Sequence, residues 1–152
     1  MNDVGIQSRG IYTLIIELTN VKHITVGSIG EIPFPAGYYA YTGSARGTGG
    51  FVRIKRHLNV AAGMNSTRRW HIDYLLPYTY PKALVLTHTD QDLECSISGT
   101  IGASCKTILH FGCTDCQCSG HLHFNNDLDW IISAVVAAHT REIETCPEYI
   151  QL

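Results

Sequence analysis

The most constraining feature of the sequence is the segment YYAYTGSARGTGGFVRIKRH, which runs from Tyr38 to His57. Its three tyrosines, Tyr38, Tyr39 and Tyr41, favour a strand, because aromatic rings suit the pleated, half-buried surface of a sheet. The stretch Gly47-Thr48-Gly49-Gly50 predicts a loop that mainly glycine backbone can follow. A strand followed by a tight glycine loop leads directly into a helix.

That helix is predicted from Phe51 to Ala62, because apolar residues recur there at spacings of three and four. The apolar stripe consists of Phe51, Ile54, Leu58 and Ala61. Arg53 and His57 are four residues apart, so they lie together on another face of the helix. We therefore expect the tyrosines of the strand to lie beside the arginine and the histidine of the helix.

Two further apolar runs predict strands that accompany the tyrosine strand Gly37–Gly43. They are Gly10–Leu18 and Ala83–Thr87. We expect Gly10–Leu18 to pair antiparallel with Gly37–Gly43, after a small extended excursion over His23–Phe34. The predicted fold is of the α+β type, with a small central, mainly antiparallel three-stranded sheet flanked by helices.

Two more helices are predicted from capping residues and periodicity, and Trp70–Leu76 is a short helix or turn. The last helix runs near 127–143 with Trp130 facing inward. The region 105–125 has the composition of a loop and contains a Cys/His-rich stretch near 113–123. Asp90 is the predicted N-cap of a helix whose buried stripe consists of Leu93, Ile97 and Ile101.

The length of 152 residues predicts a single domain, 1–152, with a real core. No apolar run reaches the length of a membrane span, and the N-terminal MNDVGIQSRG lacks the core of a signal peptide, so we expect a cytoplasmic protein. In that compartment the six cysteines are thiols or metal ligands rather than disulfides. Cys95, Cys105 and Cys146 are interpreted as buried thiols.

The net charge of −2 conceals a marked asymmetry along the chain. Between Ile32 and Ile72 there is no Asp or Glu, yet the span holds six of the eleven basic side chains. An acid-free basic segment in an acidic protein indicates a local anion site, and the alternative is an ordinary solvated helix face. The six residues are Arg46, Arg53, Lys55, Arg56, Arg68 and Arg69.

Four short motifs follow one another in an order that is more specific than any one of them. They are GIY at Gly10–Tyr12, YTGSA at Tyr41–Ala45, RIKRH at Arg53–His57 and LEC at Leu93–Cys95. Together they resemble the successive motifs of the GIY-YIG nuclease superfamily. The longer phrases PAGYYAYTGSA, RRWHIDYLL and FGCTDCQC resemble the DUF123 branch of that superfamily, which is sometimes fused to a DNA-repair endonuclease III domain.

The resemblance implies a metal-dependent endonuclease that hydrolyses phosphodiester bonds in DNA, in repair or processing. It implies that Tyr12 activates the attacking water, that Tyr41 is its hydrogen-bonding neighbour and that Arg53 grips phosphate. Glu94 would hold Mg²⁺ or Mn²⁺, although a solvated first-turn glutamate is the alternative. His57 would shuttle a proton or contact phosphate. The partners implied are DNA and a DNA-repair protein.

The remaining basic residues are candidates for nucleic-acid contacts beside that site. His71 can serve the same purpose or hold the WHIDYLL turn in place, and Lys55 and Arg56 can instead face solvent. The alternative function is a nucleic-acid-binding module that keeps the GIY-YIG fold without turnover. The candidates are Arg46, Lys55, Arg56, Arg68, Arg69 and His71.

The Cys/His-rich stretch is a second constellation, with Cys113, Cys116, Cys118 and His121 as candidate ligands of a tetrahedral zinc. Usual zinc sites draw on two ligand pairs separated by a dozen or more residues, so this spacing is crowded. We favour a tight loop whose cysteines pack against the sheet while its histidines form hydrogen bonds or join the nuclease site. A zinc-stabilised interaction domain is the third functional class to consider.

Overall fold

A six-stranded antiparallel sheet forms the centre of the protein in the computed structural model, which describes residues 9–47, 49–113, 117–142 and 146–152. The main sheet has the spatial order 6-7-4-1-5-8 when strands are numbered along the chain, and strands 2 and 3 form a separate hairpin. The strands are β1 (Gly10–Leu18), β2 (Lys22–Val26), β3 (Gly30–Phe34), β4 (Gly37–Ala45), β5 (Tyr80–His88), β6 (Lys106–Ile108), β7 (Leu122–Asn125) and β8 (Glu148–Gln151).

The prediction of a three-stranded sheet is wrong in number, although it identified the three central strands. β1 pairs antiparallel with both β4 and β5, and the β2–β3 hairpin is the predicted extended excursion. The strands outside the central three, β6, β7 and β8, were not predicted, and β6 and β7 lie in the region expected to be a loop. They are three or four residues long, so they are too short to show a clear alternation of apolar and polar residues.

Four α-helices pack against the sheet in the described part of the chain: α1 (Val52–Ala61), α2 (His71–Leu75), α3 (Glu94–Gly102) and α4 (Leu128–Glu142). Asp90 is not the cap of α3, because Leu93 occupies the N-cap position. Trp130 is 54% exposed rather than inward. None of the described helices has both the length and the apolar character needed to cross a membrane.

The two faces of the sheet bury different sets of side chains, because successive residues of a strand point to opposite faces. Tyr12 and Leu14 of β1 lie in the core that also holds apolar residues of α1, α2 and the hairpin. Ile11 and Ile15 of the same strand lie in the core beneath α3 and α4. With helices on both faces, the central strands are buried throughout, and their register is strongly specified.

A buried polar network crosses the central strands on the face covered by α4. The Thr13 and Thr42 hydroxyls are 2.9 Å apart, and the two ring nitrogens of His139 lie 2.8 Å from the hydroxyls of Thr13 and Thr87. Each of these side chains is fully buried, so the network satisfies polar groups that would otherwise be costly. The network also gives Thr42, a buried polar residue of the central strand β4, a hydrogen-bonding partner.

We expect the protein to lose stability as the pH falls from about 6.5 to about 4, because burial lowers the pKa of His57, His123 and His139 to about 4. Between about pH 6.5 and pH 4 the unfolded chain binds protons that the folded chain does not bind. The stabilisation of the fold is therefore complete above about pH 6.5 and is lost as the pH falls. Each histidine contributes a slope of up to about 1.4 kcal/mol per pH unit.

Denaturant unfolding at a series of pH values over that range measures the slope. His139→Asn should reduce it by about a third, whereas His23→Asn, on the exposed face of β2, should leave it unchanged. A wild-type free energy of unfolding that stays constant over the range would contradict the assignment of neutral buried rings.

Candidate functional site

Four side chains predicted to share a site line one cleft of about 400 Å³. Tyr12 comes from β1, Tyr41 from β4, Arg53 from α1 and Glu94 from the first turn of α3. These positions span more than eighty residues of sequence, and the fold alone brings them together. The cleft is polar and contains both signs of charge.

The pairing of β1 with β4 positions the two tyrosines. Tyr12 lies opposite Gly43 in the antiparallel ladder, and Tyr41 precedes Gly43 by two residues, so both tyrosines share a face. A Cβ atom on Gly43 would lie 2.4 Å from the Tyr12 hydroxyl oxygen, which no side chain can tolerate. Gly43 therefore lets the Tyr12 ring cross its partner strand, and the two tyrosine ring centroids are 6.5 Å apart.

Tyr12 is hydrogen-bonded to His57 beneath the cleft. The Tyr12 hydroxyl oxygen lies 2.6 Å from Nε2 of His57, and both side chains are about 1% exposed. Burial lowers the pKa of His57 to about 4, so the ring is neutral at physiological pH. Nδ1 of His57 has no hydrogen-bond partner among the described residues. His57 supports Tyr12 from behind and does not itself line the cleft.

Burial also raises the pKa of both cleft tyrosines. It raises the pKa of Tyr12 well above its ordinary value, the neighbouring Tyr41 raises it further, and the Arg53 guanidinium opposes both. The pKa of Tyr41 is raised by burial first and by Glu94 second. Both tyrosines are consequently protonated at neutral pH.

Arg53 is held at the cleft by its backbone and aromatic neighbours. Its Nη1 donates a hydrogen bond of 2.7 Å to the Ser44 carbonyl at the end of β4. Its guanidinium carbon lies 5.0 Å from the centre of the Trp70 ring, within the range of a cation–π contact. Arg53 is exposed, so its planar fork of donors remains able to meet an anion in the cleft.

Glu94 occupies the first helical position of α3, and its side chain is 25% exposed. One carboxylate oxygen lies 3.1 Å from Nδ1 of His121, which is almost fully buried. Oxygen ligands of this type suit hard divalent cations such as Mg²⁺ or Mn²⁺, which retain several waters and need few protein ligands. A partly exposed carboxylate in a polar cleft is therefore compatible with such a cation.

Three other predicted contact residues also line the cleft: Arg46, Arg69 and His71. Arg46 lies 3.5 Å from the Asp92 carboxylate, so part of its charge is already balanced. Nδ1 of His71 accepts a 2.8 Å hydrogen bond from the backbone N–H of Gly112, which fixes the ring and leaves Nε2 to donate. Burial lowers the pKa of His71. His71 thus combines the structural role foreseen for it with a position in the cleft.

Three predicted contact residues lie elsewhere. Arg56 forms two hydrogen bonds, of 2.8 and 2.9 Å, with the carboxylate of Asp73, which is fully buried. Lys55 is exposed on α1, and Arg68 lines a separate depression beside β2. The Arg56–Asp73 pair is part of the fold rather than of the cleft.

Trp70 and Cys95 are two of the cleft residues that the predicted site did not include. Trp70 lies within about 5.5 Å of three guanidinium groups, and the sequence RRW was the signal that could have identified it. Cys95 was interpreted as a buried thiol, which is wrong, because it is exposed and lines the cleft. Cys146 is likewise exposed, whereas Cys105 is buried as predicted.

The structure brings together two of the four candidate zinc ligands and adds a third from another element. The ligand atoms of Cys118, His121 and Cys95 all lie within 4.8 Å of one another. Cys113 is partly buried, and Cys116 lies outside the described residues. The sequence pattern could not identify Cys95, because proximity to it depends on the packing of α3.

Fold and cleft together define an α+β protein with an antiparallel sheet and a polar cleft that joins tyrosines, an arginine and a glutamate. The chain belongs to the family described as "Domain of unknown function DUF123", whose model matches residues 11–144. No curated protein and no solved structure shows a significant similarity to the chain.

Removal of the Arg56 guanidinium should destabilise the protein, because it leaves the buried Asp73 carboxylate with only the backbone N–H groups of Arg69 and Trp70. Burial raises the pKa of Asp73, but the hydrogen bonds from Arg56 and from this backbone outweigh it and lower the pKa overall. Arg56→Met should cost about 2 kcal/mol of unfolding free energy, less than a fully buried pair would, since Arg56 is partly solvated.

Denaturant unfolding of Arg56→Met and of Lys55→Met, its exposed neighbour, provides a matched comparison. Lys55→Met should change the unfolding free energy by less than about 0.5 kcal/mol. Equal effects of the two substitutions would show that the Arg56–Asp73 pair contributes no more than a surface charge.

Proposed function

We propose that the protein is a divalent-metal-dependent endonuclease that hydrolyses phosphodiester bonds in DNA, and that its family is a branch of the GIY-YIG nuclease superfamily. The observation that carries the proposal is the convergence of Tyr12, Tyr41, Arg53 and Glu94 on one cleft. Hydrolysis of a phosphodiester needs a base for water, a cation for the developing charge and donors for the phosphate. The four side chains supply groups for each need.

Arg53 is the phosphate-binding residue of this proposal. The guanidinium is always charged, and its parallel N–H groups match two phosphate oxygens at once. Its bond to the Ser44 carbonyl and its contact with Trp70 hold it in place before substrate arrives. Such preorganised charge stabilises the pentavalent arrangement around phosphorus without a reorganisation cost.

Tyr12 and His57 act as one neutral acid–base pair in this mechanism. Tyr12 cannot become a free phenolate at neutral pH, since burial raises its pKa. It can accept a proton from the attacking water only while its own proton passes to Nε2 of His57, 2.6 Å away. The proton from water then resides on Tyr12, and the former Tyr12 proton resides on His57.

Glu94 is the residue that would hold the metal, as a partly exposed oxygen ligand in the cleft. When bound, Mg²⁺ or Mn²⁺ supplies Lewis-acid charge stabilisation at the phosphate and lowers the pKa of its water. One carboxylate oxygen of Glu94 also lies close to Nδ1 of His121. The other oxygen is the one available to the cation.

The DNA backbone would approach along Arg46, Arg69 and the Trp70 ring, which border the cleft. Phosphate contacts of this kind position DNA without reading its sequence. Recruitment by a DNA-repair protein would supply any further specificity, and a role in repair or processing in the cytoplasm is part of the same proposal.

A non-catalytic nucleic-acid-binding module is the second candidate function. It is favoured by the deep burial of Tyr12 and His57, because neither group is a base at neutral pH on its own. Such a module would bind DNA in a salt-sensitive manner and release no product. The intact set of tyrosine, arginine and glutamate favours the enzyme.

Purified protein should cleave single-stranded, nicked or flap DNA with Mg²⁺ or Mn²⁺ and not with EDTA. Arg53→Ala and Glu94→Gln should each lower the rate by about 100-fold or more. Gel analysis of end-labelled DNA measures the rates. Matched controls are Arg141→Ala, in the last turn of α4, and Glu31→Gln, on β3, both exposed and away from the cleft.

Equal cleavage by all five preparations would identify a contaminant and refute the assignment. DNA binding without any metal-dependent product would favour the binding module instead.

Tyr12→Phe should lower the cleavage rate by about 100-fold or more, because phenylalanine can neither take nor pass a proton. Tyr39→Phe is the matched control, since Tyr39 is fully buried on a neighbouring strand and donates its hydroxyl to the Pro35 carbonyl. It should cost about 1 kcal/mol of stability and little activity. Similar losses of activity in the two variants would mean that Tyr12 has only a packing role.

A further inference from the structure

Three soft ligand atoms from two separate segments meet at the wall of the cleft. Sγ of Cys95 lies 3.7 Å from Nε2 of His121, and Sγ of Cys118 is within 4.8 Å of both. We propose that Cys95, Cys118 and His121 bind one Zn²⁺ ion. The inference is independent of whether the protein cleaves DNA.

The spacing of these atoms fits a zinc ion. Tetrahedral zinc with Zn–S of about 2.3 Å and Zn–N of about 2.0 Å separates a sulfur from a nitrogen ligand by about 3.6 Å. The observed 3.7 Å between Cys95 and His121 agrees with that value. Two thiolates and an imidazole form a donor set that selects zinc over the hard cations Mg²⁺ and Ca²⁺.

The position of Cys95 removes the objection that the Cys/His-rich stretch is too crowded for zinc. Cys118 and His121 are three residues apart on one segment, and Cys95 is more than twenty residues earlier, on α3. This separation is typical of zinc sites, which tie two distant segments together. A second contact joins the same segments, since the Ser98 hydroxyl donates to the Gly120 carbonyl over 3.1 Å.

The surroundings of His121 match those of a metal-bound histidine. Nε2 faces Cys95, while Nδ1 lies 3.1 Å from the Glu94 carboxylate. A metal at Nε2 would leave the ring proton on Nδ1, close to that carboxylate, which is the pairing of groups found in carboxylate–histidine–zinc sites. Because Glu94 directly precedes Cys95, the ion would fix both the ring and the first turn of α3.

The same distances also permit a thiol–imidazole hydrogen bond without metal, or a Cys95–Cys118 disulfide. Under the first alternative the protein binds no metal. Under the second, neither thiol is available as a ligand.

Metal content provides the direct test. Reduced protein that is stripped with chelator, reloaded with Zn²⁺ and desalted should contain about one zinc per chain by elemental analysis. Cys95→Ser and Cys118→Ser should each lower zinc affinity by about 100-fold or more in chelator competition. Cys146→Ser removes an exposed cysteine that is not part of the cluster and should leave affinity unchanged.

Cobalt spectroscopy on folded protein distinguishes the loss of a ligand from the loss of zinc through poor folding of a serine variant. Folded wild-type protein loaded with Co²⁺ should show thiolate-to-cobalt absorption, and Cys95→Ser should retain about half of that intensity. Circular dichroism checks the folding of each variant. Folded wild-type protein that binds neither Zn²⁺ nor Co²⁺, or that contains a Cys95–Cys118 disulfide under reducing conditions, would overturn the proposal.

The contact between Glu94 and His121 gives a second measurement. Glu94→Gln should lower zinc affinity by about 10- to 100-fold, because the carboxylate raises the basicity of the bound ring. Glu31→Gln should have no effect. Unchanged zinc affinity in Glu94→Gln would refute the coupling between ion and carboxylate. No DNA is needed, so a failure here is distinct from a failure of the proposed nuclease.

Discussion

The antiparallel register between β1 and β4 is the constraint on which the rest of the structure depends. It places Tyr12 opposite Gly43, where the absence of a side chain lets the phenol ring cross the neighbouring strand. A slip of one residue between these strands would place the two cleft tyrosines on opposite faces of the sheet. Such a slip is strongly disfavoured, because it would also exchange the two apolar faces that the helices cover. The cores under the helices and the geometry of the cleft are therefore specified by the same pairing.

Depth below the surface separates the ionisable groups of the cleft into two classes. Tyr12 and His57 lie at its base, where burial keeps both neutral at physiological pH. Arg53 and Glu94 lie at its edge, where solvent still stabilises their charges. The hydrogen-bonded pair at the base can relay a proton although burial disfavours the charged form of His57, and charged groups at the edge can bind ions of opposite sign. This division of roles suits the hydrolytic function that we propose.

Local elements followed from the sequence, and arrangements that depend on packing did not. The bounds of β1 and α1 were predicted closely because their periodicity extends over nine or ten residues. The convergence of Tyr12, Tyr41, Arg53 and Glu94 was expected from the order of the motifs. The three outer strands β6, β7 and β8 were missed because they are three or four residues long and pair only where the sheet already exists. Cys95 was misjudged for a related reason, since its exposure depends on the orientation of α3.

The basic segment is less strongly charged in the folded protein than its count of acidic and basic residues suggests. The segment from Ile32 to Ile72 lacks acids, but the fold brings acids to it from elsewhere in the chain. Asp73 engages Arg56, and Asp92 approaches Arg46. Two of the six basic side chains of the segment are therefore paired with acids within the protein. Arg53 and Arg69 remain beside the Trp70 ring at the cleft, so the positive charge that a phosphate would meet is local rather than spread along the helix.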